Sequence, residues 1–148
     1  MYYLMERAKR RKGFTLVELL VVLVVLAVLA AIVLPKFMNS TKRSKETALK
    51  SDLKLVRNAI SLFQADTDCF PKALTDLIAA TAPPKGLDTA GADVTIVGAD
   101  WHGPYLQDVP KDPLDGSALV YTTISPGVGK VASDATGNGL DGTAYTTW

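Results

Sequence analysis

The fold is decided by the stretch KGFTLVELL, residues 12–20, which opens a long apolar run. From Phe14 to Leu34 every residue is apolar except Thr15 and Glu18. A helix of these 21 residues, rising about 1.5 Å per residue, spans the roughly 30 Å hydrocarbon core of a bilayer. An ionised carboxylate inside such a helix costs several kcal/mol unless it is paired. Glu18 therefore predicts a partner, unless it lies near the headgroups and reaches water.

The residues before the apolar run are basic. Residues 1–13 carry five Lys and Arg side chains against one glutamate, a net charge of +4. Positive charge beside an apolar span keeps that end of the chain cytoplasmic. A secretory signal has the same order of segments, but its apolar region is shorter and ends in small residues. Two cleavage sites remain: one near Ala31, and one between Gly13 and Phe14, which keeps the helix and frees an amine one turn from Glu18.

The array over residues 12–22 resembles the class III leader of type IV pilins and type II secretion pseudopilins. The shared features are a basic leader, Gly, Phe, Thr-Leu-x-Glu and a long apolar helix with a proline, here Pro35. The resemblance implies cleavage after Gly13 by a prepilin peptidase and N-methylation of Phe14. It also implies that Glu18 sets subunit registry in a filament, where it neutralises the amine of a neighbouring copy. Registry is the best-attested use of a buried charge, and a helix N-terminus favours a carboxylate.

Residues 14–66 predict one long helix in two parts. The membrane and assembly helix covers residues 14–35, and an amphipathic stem covers residues 36–66. We expect Pro35 to bend or partly unwind the helix, which would give a filament room to stretch. One apolar stripe on the stem is expected to face a sheet. The stripe consists of Leu49, Leu53, Val56, Ile60 and Phe63.

The head, residues 67–148, predicts a short helix, turns and a small antiparallel sheet. Phe70-Pro71 follows the end of the long helix, and Asp115-Gly116 is a hairpin-type turn signal. The expected segments are a helix at 74–80, a loop at 82–86 and strands at 94–97, 119–124 and 129–133. The predicted fold class is therefore α+β: a long N-terminal helix packed on a small antiparallel β-sheet head, which is the pilin fold that the resemblance implies.

Charge divides the stem from the head. Residues 36–65 sum to +5 and residues 66–148 to −7, although the whole chain carries only +1. A basic stem with an acidic head is not the charge pattern of a nucleic-acid-binding domain. The cations of the stem face anionic headgroups, the acidic heads of neighbouring subunits, or only water.

The last third of the chain refines the resemblance toward the major pseudopilin of type II secretion. The shared segments are GPYL at 103–106, PKDPLDG at 110–116 and Ser-Asp at 133–134. Leu114 stands where that family has a tryptophan. Cys69 is the only cysteine, so the C-terminal disulfide of most type IV pilins cannot form, which favours the pseudopilin branch.

Oxygen donors near the end of the chain are spaced like half of a calcium loop. The candidate ligands are Asp134, Thr136, Asn138, the Leu140 carbonyl and Asp141. The related major pseudopilins bind calcium in this loop, so the resemblance implies Ca²⁺ as a cofactor. Ca²⁺ takes about six to eight oxygens, however, and Ala144-Tyr145 stand where those relatives have paired acids. The same residues also fit a Gly-rich turn capped by Asx side chains, and both interpretations stay open.

The sequence predicts a structural subunit and not an enzyme, since it contains no Ser-His-Asp set and no phosphate loop. The resemblance implies a homopolymer, a type II secretion pseudopilus that acts as a piston in protein export. Its implied partners are a prepilin peptidase, an inner-membrane assembly platform and minor pseudopilins. It implies a single-pass inner-membrane protein with its head in the periplasm, later part of a periplasmic or extracellular filament. The alternatives are a type IV pilin for adhesion, twitching or DNA uptake, and a monomeric membrane-anchored binding domain. An anchored periplasmic enzyme finds no motif.

Overall fold

The structure of the chain is a computed structural model that describes residues 13–148. Except for Gly13, the predicted leader at residues 1–13 lies outside the described residues. Internal contacts divide the chain into two units, one ending at Asn39 and the other covering Ser40–Trp148.

The long helix, α1, covers Leu16–Thr67 and contains 52 residues. Within residues 13–148 it is the one helix long and apolar enough to cross a membrane. Both of its ends lie within two residues of the predicted ends. The helix is continuous through Pro35, so of the two expected outcomes partial unwinding is wrong for this chain, and a bend stays a prediction. Proline removes one backbone donor and crowds the carbonyl four residues earlier, and the helical turns on either side outweigh that local cost.

The apolar stripe of the stem forms the core of the head, as predicted. Each of its five residues is at most 3% exposed. Burying a side chain of this size stabilises the fold by about 1.5–3 kcal/mol relative to leaving it in water. The residues that pack around the stripe include Leu77, Ile96, Leu106, Leu119, Val131 and Tyr145.

The head contains two separate two-stranded antiparallel sheets. β1, Lys85–Leu87, pairs with β2, Asp93–Thr95. β3, Val120–Tyr121, pairs with β4, Val131–Ala132. The sequence predicted β3 and β4 as longer strands of one sheet and β2 as part of a separate short strand at 94–97. The loop predicted at 82–86 overlaps β1, which the sequence missed.

Besides its pairing with β2, β1 is bridged to the chain just after the stem. The Phe70 N–H donates to the Leu87 carbonyl at 2.7 Å, and the Leu87 N–H donates to the Phe70 carbonyl at 2.7 Å. Nothing in the local pattern shows such a long-range bridge. The predicted helix at 74–80 is present as a shorter 3₁₀ helix, Leu74–Ile78, and a second 3₁₀ helix covers Tyr145–Thr147.

Gly86 lies where β1 passes closest to the end of the stem, and we expect Gly86→Ala to destabilise the head. A Cβ there would lie 2.3 Å from Cys69 Sγ and 2.8 Å from the Phe70 carbonyl oxygen. The backbone oxygen cannot rotate away, so the expected loss is about 1–3 kcal/mol in the free energy of unfolding. Denaturant titration of the purified protein in detergent, followed by tryptophan fluorescence, measures it. Gly98→Ala is the control, because its Cβ meets only Ala82 at 3.8 Å; equal midpoints for the two variants would contradict the prediction.

Candidate assembly site and C-terminal loop

Glu18 caps the beginning of its own helix. The Thr15 N–H and the Thr15 hydroxyl both donate to Glu18 Oε2, each at 3.0 Å. The Glu18 N–H lies 3.2 Å from Thr15 Oγ1. A threonine and a glutamate three residues apart that satisfy each other's backbone N–H groups form a capping box. The lone carboxylate therefore has partners inside its own subunit. Pairing with the Phe14 amine of a neighbouring copy stays a prediction.

The apolar side chains of the first half of α1 are exposed in the single chain. From Phe14 to Leu34 each large apolar side chain is at least 44% exposed. A continuous apolar surface of this size on a folded chain marks a lipid-facing or protein-facing surface. Either a bilayer or copies of the same helix would cover it. Pro35 directly follows this segment, and a role for it in filament extension stays a prediction.

Glu46 joins the stem to the C-terminal loop, which we define as residues 134–143. Glu46 is buried, with only 7% of the residue exposed. Its Oε1 accepts the Leu140 N–H at 3.0 Å and the Tyr145 hydroxyl at 2.8 Å. Burial raises the pKa of Tyr145 to about 12, and the bond to Glu46 adds to the shift, so the hydroxyl keeps its proton at neutral pH. One buried carboxylate thus satisfies two donors of the head.

Lys42 contacts the same loop one helical turn earlier. Its Nζ donates to the Asn138 carbonyl oxygen at 2.9 Å. The same ammonium group lies 5.9 Å from the centroid of the Tyr145 ring, within range of a cation–π contact. The carbonyl of a residue predicted as a calcium ligand therefore already has a cationic partner from the stem.

Lys50 contacts the loop one turn after Glu46. Its Nζ lies 3.4 Å from Asp141 Oδ2 and 3.9 Å from the centroid of the Trp148 ring. Lys42, Glu46 and Lys50 recur every four residues, which places them along one face of α1. This face carries charges in the order plus, minus, plus.

The other predicted calcium ligands have partners within the loop or face water. The Asp141 carboxylate accepts the Thr143 hydroxyl at 2.6 Å and the Thr143 N–H at 3.0 Å. These bonds hold the pKa of Asp141 below its usual range. Asp134 and Thr136 are exposed. Within residues 13–148 no three His, Cys, Asp or Glu side chains come together as a metal cluster. The oxygens of these residues do not fit a Ca²⁺ site, because Ca²⁺ takes roughly six to eight oxygen ligands. Calcium binding stays a prediction.

Asp112 is a second buried carboxylate, and its hydrogen bonds reach the beginning of the C-terminal loop. It is 1% exposed, and its carboxylate accepts the Leu114 N–H at 2.8 Å and the Ser133 hydroxyl. Ser133 Oγ in turn accepts the Ala135 N–H at 3.0 Å. The network ties the turn at Asp115-Gly116 to the beginning of the C-terminal loop.

Sequence reasoning missed the roles of Thr15, Lys42 and Glu46. The spacing of Thr15 and Glu18 is itself the signal of a capping box. No local signal marks Lys42 or Glu46, because their partners lie at least 94 residues later in the chain.

Two family models match consecutive parts of the chain. The model described as the prokaryotic N-terminal methylation motif matches residues 8–34. The model described as type II secretion system protein G matches residues 36–147. The chain belongs to the type II secretion system protein G family. The two matched segments meet at Pro35, where the sequence predicted the boundary between membrane helix and stem.

Relatives from several bacteria resemble this protein G family member over most of its length. A protein of Aeromonas hydrophila named type II secretion system core protein G is 32% identical over 139 residues, covering 93% of this chain and 89% of that protein. The protein of the same name from Pseudomonas aeruginosa is 30% identical over 135 residues, covering 90% and 87%. The type IV major pilin protein PilA of Myxococcus xanthus is 31% identical over 101 residues, covering 68% of this chain but 44% of that pilin. No solved structure gives a significant match.

Proposed function

We propose that this chain is a structural subunit of a type II secretion pseudopilus that polymerises after losing residues 1–13. The observation that supports it is the methylation motif at 8–34 directly before the protein G match at 36–147. The exposed apolar helix needs a cover, and copies of the same helix supply one in a filament. Adding subunits at the base extends the filament, which pushes cargo outward as a piston.

Maturation begins with a prepilin peptidase, which cuts between Gly13 and Phe14, and the new Phe14 amine is methylated and stays cationic. Both capping bonds from Thr15 end on Oε2 of Glu18. The other carboxylate oxygen, Oε1, then accepts the amine of the next subunit, so one side chain caps its own helix and sets the registry of its neighbour. A buried acid that is satisfied from both sides has the arrangement that a registry device requires.

The topology follows from the charge at the start of the chain. The basic residues 1–13 keep that end in the cytoplasm, so the single span places the head in the periplasm. The inner-membrane assembly platform and the minor pseudopilins act on this form, and it then enters a periplasmic filament. A surface pilus is the less favoured function, because the pilin match covers less than half of that pilin.

Mass spectrometry of the mature protein from host membranes tests this proposal. We expect a polypeptide that begins with N-methylated Phe14, together with short periplasmic filaments in electron micrographs. Gly13→Leu should keep the leader and yield no filament, because it places a bulky side chain directly before the proposed cut. A mature terminus near Ala31, in a soluble and unassembled protein, would contradict the proposal.

A further inference from the structure

We infer that Lys42, Glu46 and Lys50 of the stem hold the C-terminal loop in the place that a divalent cation would take, so that this head closes without Ca²⁺. We call these three residues the stem clasp. The inference rests on contacts within the head and does not depend on the proposed function.

The stem clasp matches the polarity of the loop group by group. The Lys42 ammonium faces the Asn138 carbonyl oxygen at 2.9 Å, and the Glu46 carboxylate faces the Leu140 N–H at 3.0 Å. A metal ion interacts only with acceptors, whereas the clasp also satisfies a backbone donor. The order of charges along α1 therefore fits the alternation of acceptor and donor in the loop.

The lysine ammonium groups place positive charge beside the oxygens that a metal would need. An ammonium group has three donors and no acceptor, and that of Lys42 occupies the backbone carbonyl of Asn138, the residue whose side chain is predicted as a ligand. Lys50 stands 3.4 Å from Asp141 Oδ2, at the carboxylate predicted as a ligand. A second cation brought to either oxygen would meet a positive charge a few ångströms away and be repelled.

The aromatic residues at the end of the chain favour an ammonium group over a metal. The Lys50 ammonium lies 3.9 Å from the centroid of the Trp148 ring, and that of Lys42 lies 5.9 Å from the centroid of the Tyr145 ring. Aromatic faces attract ammonium groups, whereas Ca²⁺ takes hard oxygen ligands. The Tyr145 hydroxyl keeps its proton and donates a hydrogen bond to Glu46, so it supplies no anionic ligand.

The three members of the stem clasp contribute unequally. The ion pair of Lys50 and Asp141 is exposed, with 56% and 47% of the two side chains accessible, so water screens it. Glu46 is buried, so its bonds are shielded, whereas Lys42 is partly buried and its bond to Asn138 is exposed. Lys42 is therefore the member whose replacement tests the inference best, since its loss does not bury an uncompensated charge.

Hydrogen–deuterium exchange of the full-length protein in detergent tests the inference on the amides of residues 136–143. In the wild-type chain we expect the same exchange rates in excess EGTA and in excess CaCl₂. Lys42→Met should raise the loop rates by about tenfold, as expected for the loss of one charge-assisted hydrogen bond. Lys42→Arg should keep the wild-type rates, because the guanidinium group also donates to a carbonyl oxygen.

Lys54→Met is the matched control, because Lys54 is an exposed lysine of the same helix without a hydrogen bond or ion pair to residues 13–148. Slower loop exchange of the wild-type protein in CaCl₂ than in EGTA would overturn the inference. Equal loop rates in Lys42→Met and Lys54→Met would overturn it as well. If Lys42→Met opened the whole head, seen as fast exchange over residues 49–63, the comparison of EGTA with CaCl₂ on the wild-type protein would decide alone.

Discussion

Glu18→Ala should abolish filament assembly and leave the chain in the membrane. In the proposed filament this carboxylate neutralises the amine of an adjacent subunit, and removing one partner of a buried ion pair costs about 3–5 kcal/mol. A loss of that size at every subunit contact stops polymerisation. Immunoblotting of membrane fractions measures insertion, and counting of sheared filaments measures assembly. Val17→Leu is the control, because it keeps an apolar side chain beside Glu18 and should assemble normally.

Glu18→Gln separates the two roles of this side chain. The amide oxygen of glutamine still accepts the Thr15 N–H but carries no charge, so the cap survives and the charge pairing does not. If pairing with the Phe14 amine drives assembly, Glu18→Gln should fail as Glu18→Ala does. Normal filaments from Glu18→Gln, with failure of Thr15→Val, would show that the helix cap and not the ion pair is required. A wild-type chain that stays monomeric in the membrane, unchanged in all three variants, would favour a monomeric anchored domain.

Asp112→Ala should lower the free energy of unfolding of the head by about 2–4 kcal/mol. The carboxylate is 1% exposed and is the acceptor for the Leu114 N–H and the Ser133 hydroxyl. Truncation leaves the buried Ser133 hydroxyl and the part-buried Leu114 N–H without this partner, and a buried unpaired donor costs about 1–3 kcal/mol. Denaturant titration in detergent, followed by the fluorescence of Trp101 and Trp148, gives the difference.

Asp115→Ala is the matched control for this prediction. Asp115 lies in the same turn and accepts the Ser117 N–H at 2.9 Å, but it is exposed. We expect its replacement to change stability by no more than about 0.5 kcal/mol. The effects of Asp112→Ala and Ser133→Ala should not add in the double variant, because the two residues share one hydrogen bond. Additive losses, or equal stability of Asp112→Ala and Asp115→Ala, would refute the network.

The helical part of the fold follows from the sequence because its signals are local. The apolar run ending at Leu34 has the length of a bilayer-spanning helix, and the stripe of the stem repeats with the helical period. Together these two local signals locate the ends of α1 within two residues. The core assignment follows for the same reason, since one face of the stem has no other place to bury its leucines.

The head was less predictable because distant segments determine it. β1 follows a proline and contains a glycine, which is typical of a loop, and only its pairing with β2 and with Phe70 makes it a strand. The same holds for Glu46, which lies in a basic segment and gives no sign of the tyrosine it binds 99 residues later. The sequence located the oxygen donors of the C-terminal loop, but not the ammonium groups that engage them. Such partners become visible only when the chain is folded.

The bond between Glu46 and Tyr145 spans nearly the whole head, and this has a consequence for the order of events during synthesis. The ribosome makes α1 first, and the helix can insert in the membrane before the residues that complete the head exist. Closing a chain segment of this length cannot begin until translation has passed Tyr145. Between these two moments the nascent subunit is anchored but unclosed, with Glu46 still hydrated. We expect export factors to encounter the subunit in this open form and the assembly machinery to receive it only after closure.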